Sequence, residues 1–120
     1  MPGMKKKAPS AKVDLSGIAK AEGGKTIAEV FAEKEALGGK TVTVRGKVVK
    51  FNPNIMGTNW LHVQDGTGAA GTNDLTVTSD AEVQIGDTVL VTGALTLNKD
   101  LGSGYTFDVI IEKAQVALEK

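Results

Sequence analysis

His62 is the one histidine of this 120-residue chain, and there is no cysteine. Together these facts remove thiolate zinc sites, disulfides, cysteine nucleophiles and multi-histidine metal centres. Chemistry at His62 therefore needs partners of other types. Met56 lies nearby in the sequence, and an imidazole with a thioether suits copper, with Met1 and Met4 as further soft donors. The alternative leaves Met56 packing its loop and His62 hydrogen-bonded on a strand. A hydrolase is not expected. Asp65 falls three residues after His62 on a strand, hence on the other face. Gly102-Ser-Gly104 also lacks the strand–turn–helix setting of a nucleophile elbow. These residues point to binding and not to catalysis.

Trp60, His62 and Gln64 alternate along one segment and share the face opposite to Leu61 and Val63. Planar rings on such a face can stack on bases, while Arg45, Lys47 and Lys50 on the preceding strand draw phosphates. Tyr105, at the start of the last strand, adds a ring to the same ligand-binding set. Single-stranded nucleic acid is a ligand such a face can take, and the fold resemblance described below makes it the favoured one. Against it stand only five aromatic residues and the acidic Asp65, Asp74, Asp80 and Asp100 in the same region. Trp60 could equally cover a barrel end beneath residues 52–58. Gly66-Thr-Gly-Ala-Ala-Gly71 has the spacing of a dinucleotide loop, but a strand-like Thr72-Asn-Asp-Leu-Thr-Val-Thr78 follows it. A pyrophosphate site needs a helix N-terminus there, so this is read as a hairpin loop.

The formal net charge is zero, yet residues 1–50 hold eleven Lys/Arg against five Asp/Glu, and residues 51–120 hold three against nine. A basic half suits phosphates or anionic surfaces, and it can also neutralise the acidic half of a neighbouring copy. Residues 1–25 read as a flexible basic tail, with Lys5, Lys6 and Lys7 between prolines. No apolar stretch of signal-peptide type follows those lysines, and no run is long enough to span a membrane. Within the tail, Val13 and Leu15 alternate, enough for a short strand added to another copy. The alternative is a disordered tail on a monomer.

These side chains need a scaffold, and the period of the sequence supplies one. Thr26-Ile-Ala-Glu29 is a capping box, and Ile27, Val30, Phe31 and Leu37 share a helical face that ends at Gly38-Gly39. A capping helix over 26–39 of about three turns is expected. The period then changes to two. Strands are expected at 41–48, with a bulge near Gly46 or Val48 before Phe51, and at 60–65, 74–78, 88–95 and 105 to about 117. Val42, Val44, Val63, Val77, Val89, Val91, Val109 and Ile111 should converge in one core. Five strands rich in valine and threonine make an all-β barrel or sandwich.

The segments Val42-Thr-Val-Arg-Gly-Lys-Val48, Trp60-Leu-His-Val-Gln-Asp-Gly66 and Val83-Gln-Ile-Gly-Asp-Thr-Val-Leu-Val-Thr-Gly93, with the last strand, resemble the OB-fold of anticodon-binding type over residues 40–118. The resemblance implies a five-stranded Greek-key barrel that binds ligands on strands two and three. The link 79–87 is too short for the helix many such folds carry there, so the helix at 27–37 would close the barrel bottom instead. Asn54-Ile-Met-Gly-Thr-Asn-Trp-Leu-His62, Gln64-Asp-Gly-Thr-Gly68 and Lys99-Asp-Leu-Gly-Ser-Gly-Tyr105 resemble small exported bacterial OB-fold proteins. Some of those are encoded beside periplasmic nitrite reductase and other cytochromes. That resemblance implies a periplasmic or extracellular mature form. The alternatives to nucleic-acid binding are an exported accessory protein that holds copper through Met56 and His62 or serves a cytochrome system, and a self-assembling structural subunit joined through its tail and strand edges.

Overall fold

The structure, a computed structural model, describes residues 13–102 and 105–119. It is an all-β chain with two short helices. In order these are α1 (Ile27–Ala32), α2 (Lys34–Leu37), β1 (Thr41–Ile55), β2 (Thr58–Gln64), β3 (Leu75–Ser79), β4 (Thr88–Gly102), β5 (Tyr105–Ile111) and β6 (Gln115–Glu119). The strands form one six-stranded sheet in the order β1-β2-β3-β5-β4-β6, and β1 also pairs with β4. All ladders are antiparallel except β3 with β5.

β1 serves two neighbours in turn. Residues from Thr41 to Lys47 pair with β4, and those from Lys47 to Ile55 pair with β2. Gly46 sits where the partners change, and a Cβ there would come within 2.6 Å of Val63 Cγ1 and 2.8 Å of the Gln64 carbonyl oxygen. Only glycine lets the end of β2 approach so closely. The expected bulge follows at once. Val48 faces Val63 and Lys50 faces His62, leaving Val49 as the extra residue.

All eight residues expected in the core are buried, and Leu61, Leu75 and Leu95 join them. Ile27 and Val30 of α1 are fully buried in the same cluster. The helix therefore seals the core with one apolar side, as its pattern requires. Two short helices replace the single helix expected over 26–39. Glu33, with φ −107° and ψ 18°, ends α1, and beyond α2 Gly38 packs against Leu97 of β4.

The last strand also differs from expectation. β5 stops at Ile111, and β6 begins at Gln115 after Lys113 adopts a left-handed φ of 54°. The reason is a change of partner. The Ala114 N–H bonds the Thr78 carbonyl, and β6 then pairs with Thr88–Thr92 of β4, which β5 never touches. The sheet thus has six strands where five were expected. β4 is longer than the expected 88–95, reaching Gly102 through its ladder with β5.

Residues 13–25 are held against β1. The Lys25 N–H donates to the Thr43 carbonyl, and Ala21 is buried. Val13–Ile18 forms no strand, since an Asp14–Ser16 side-chain turn interrupts it. The rest of the expected tail, residues 1–12, lies outside the described residues. Among the described residues no helix is long and apolar enough to cross a membrane.

Candidate ligand face

The ladder of β1, β2, β3 and β5 arranges side chains in rows on the face opposite the core. Cross-strand neighbours on one face lie about 5 Å apart. One row runs Lys50, His62, Thr76, Ile110, and the next runs Asn52, Trp60, Thr78, the β3 and β5 members of both rows being buried. Gln64 continues the face beyond His62, opposite Lys47. The structure therefore brings Trp60, His62, Gln64 and Lys50 together, as their alternation requires.

His62 and Gln64 share one acid. His62 Nδ1 lies 2.7 Å from Asp74 Oδ1, and Gln64 Nε2 donates to Asp74 Oδ2 at 2.9 Å. The contact engages Nδ1 and leaves Nε2 as the second polar atom of the ring. Burial pushes the Asp74 carboxyl up, but hydrogen bonds from His62 and Gln64, aided by the charges of His62 and Lys50, outweigh it and hold it below its ordinary value. A carboxyl held low in the folded chain contributes stability above the ordinary carboxylate range, and this is lost as pH falls through the lowered value. Asp74 thus orients both polar side chains of the face.

Trp60 is fixed from two sides. Its Nε1–H donates to the Ile55 carbonyl at 2.9 Å, and its ring centroid lies 5.8 Å from that of Phe107 at a tilt of 32°. The first contact belongs to the β1–β2 hairpin and the second to β5. The ring is pre-positioned, at the low entropic cost of a side chain with two torsions.

Arg45 and Lys47 are engaged elsewhere. Arg45 Nε and Nη2 reach the two Glu119 oxygens at 2.7 and 3.2 Å, and Nη1 donates to the carbonyls of Ala19 and Lys20. Lys47 Nζ donates to the Asp14 carbonyl at 2.9 Å. Their positions on β1 were legible, but their partners come from the chain ends. The backbone of Tyr105 opens β5 opposite Gly102, and its side chain lies outside the described part of the structure.

Met56 and His62 do not meet. Met56 is 69% exposed at the tip of the β1–β2 hairpin, with a left-handed φ of 56°. From Thr58, where pairing resumes, to His62 the strand advances about 14 Å. The strand thus separates Met56 from His62 along β2. Among the described residues there is also no cluster of three or more His, Cys, Asp or Glu side chains.

Asp65 is where sequence reasoning missed most. It is buried, and its Oδ2 accepts from the Ile27 N–H of α1 at 2.9 Å. Its Oδ1 accepts from the N–H and hydroxyl of Thr67, whose Oγ1 in turn accepts from the Ala28 N–H. The Glu29 N–H bonds Thr26 Oγ1, and the Thr26 N–H bonds the Glu29 carboxylate, completing the expected capping box. Every amide from Thr26 to Glu29 thus has a side-chain partner. The Gln64-Asp-Gly-Thr67 segment is a helix anchor, and the Asp-Gly-Thr signal for a side-chain turn was its only trace in the sequence. The glycine loop that follows leads into β3 and not into a helix, as the reading of it as a hairpin loop requires.

A concavity of about 770 Å³ lies between β6, the end of β3 and the β1–β2 turn. Among its described lining residues there is none of the candidate residues, and Asp80 and Lys113 are the titratable ones. Comparison with protein-family models, curated proteins and solved structures finds no match.

Proposed function

We propose that the chain is a non-enzymatic binding module of OB type, which takes single-stranded nucleic acid on the Lys50/Trp60/His62/Gln64 face. The pairings support the barrel. They run β1-β2-β3-β5-β4 and return to β1, with β3 parallel to β5 and two hairpins, β1–β2 and β4–β5, beside the β2–β3 face. Oligonucleotide-binding OB-folds use that face and those two loops. β6 is an added edge strand on β4.

One observation carries the ligand. Trp60 is held by the Ile55 carbonyl and the Phe107 ring, in a row beside His62 and Gln64, whose polar groups Asp74 orients. A fixed ring next to an imidazole and an amide suits a flat base with polar edges. Lys50, exposed in the His62 row, supplies a phosphate contact.

Trp60 is the only tryptophan, so its fluorescence reports on the face. Titration with oligothymidylate at low salt should give saturable quenching. Trp60→Ala should weaken binding, read by anisotropy of a labelled oligonucleotide, by about 1–3 kcal/mol per stacked base. No change in either signal up to about 100 µM, the weak end of non-specific binding, overturns the proposal.

A further inference from the structure

We propose that the exposed part of this face is a site for one nucleotide unit, with the base on Trp60 and its own phosphate on Lys50, so that a nucleoside monophosphate is a sufficient ligand. Resting on the functional reading above, this assignment sets the size and charge of what the face recognises.

The open surface is narrow. Thr76 and Thr78 of β3 and Ile110 of β5, which continue the two rows, are only 6%, 4% and 0% exposed. The side chains open to a ligand therefore come from β1 and β2, in a strip one strand pair wide. Along β2 the strip runs from Trp60 to Gln64, about 14 Å. OB-folds that track a single strand take up about 4–16 nucleotides and stack successive bases on several rings. Here, among the described side chains, the Trp60 indole is the one broad stacking surface of the strip.

The rows also differ in charge. Asn52 and Trp60 make a neutral row at the hairpin end. In the next row Lys50 is exposed opposite His62. In the row beyond, Lys47 lies opposite Gln64 but is turned to the Asp14 carbonyl, and Arg45 is clamped by Glu119. Asp74, bonded to both His62 and Gln64, sets a carboxylate where a second phosphate would follow. A strand laid along β2 would thus meet one open cation and then an acid. Lys50 and Trp60 stand diagonally across the β1–β2 ladder, about 7–8 Å apart at their backbones. Over that distance an ammonium on a four-carbon stem and an indole can hold the phosphate and the base of the same sugar.

The test titrates the full chain at low salt with thymidine, thymidine 5′-monophosphate and decathymidylate, read by Trp60 fluorescence. The monophosphate and decathymidylate should both quench saturably. The monophosphate should bind about two- to fivefold more tightly than thymidine, the worth of one exposed ion pair. Lys50→Ala should erase that preference, and Lys47→Ala should keep it. Decathymidylate offers ten such units, so per molecule it should gain no more than about tenfold over the monophosphate. A monophosphate no tighter than thymidine, or a preference that survives Lys50→Ala, overturns the one-unit site. A larger gain by decathymidylate overturns it too, since a continuous strand would then be needed, and leaves the face standing as the place of binding. If none of the three changes the fluorescence, the functional reading fails and the one-unit site falls with it.

Discussion

Asp65 shows how one side chain can join two elements. Replacing it with alanine strands the Ile27 amide and the Thr67 backbone, both of which it now accepts from. Loss of a buried acceptor of this kind costs about 1–3 kcal/mol. Asp65→Ala should therefore unfold at lower urea than the parent, and Asp65→Asn, which keeps one carbonyl oxygen, should lose less. Equal midpoints for Asp65→Ala and the parent would contradict the anchor. At this scale the apolar residues were the legible ones. Valine at every second position states which way it faces, and the eight core positions are buried accordingly. Polar partnerships were not legible. Asp65 bonds a residue 38 positions away, and Arg45 bonds one 74 positions away, separations that no local spacing encodes. Asp74 meets His62 and Gln64 only because the ladder brings β2 and β3 together across a long glycine loop.

At the scale of elements, the decisive feature is the change of partner along β1. Gly46 marks it, and Gly46→Ala would drive a methyl group into Val63 and the Gln64 carbonyl. Overpacking of this sort costs about 1–3 kcal/mol. Thermal unfolding should show a clearly lowered midpoint, against almost no change for Thr41→Ala at the exposed start of the same strand. An unchanged midpoint in Gly46→Ala would mean that β2 does not close on β1 at that point. The alternation of valine and threonine made each strand visible, and the glycine within the pattern pointed to the bulge. The ends were less visible, because they depend on which neighbour a strand finds. The far half of β4, Thr96-Leu-Asn-Lys-Asp100, is mostly polar and includes Asn98 at a φ of 54°, and it is a strand because β5 pairs with it. The division of β5 from β6 at Lys113 likewise follows from pairing first with β3 and then with the near half of β4. The helix was legible at its start, where Thr26 and Glu29 are neighbours, and less so past Glu33, where packing against β4 takes over.

For the whole molecule, the return of the pairings from β4 to β1 leaves the two hairpins beside one face, with the N-terminal segment strapped along β1 at its edge. This layout separates the Trp60/His62 face from the concavity beside β6, which offers a different lining in which, among the described residues, Asp80 and Lys113 are the charged ones. The two surfaces make different predictions about where a ligand is felt. The most direct measurement is an amide ¹H–¹⁵N NMR titration of the full chain with oligothymidylate at low salt. Ligand binding on the Trp60 face should concentrate shifts at Lys50, Asn52, Trp60, His62, Gln64 and Asp74, together with the Trp60 indole N–H that now bonds Ile55. Shifts confined to Asp80, Ala81 and Gln115–Ala117, or none at all, would contradict it.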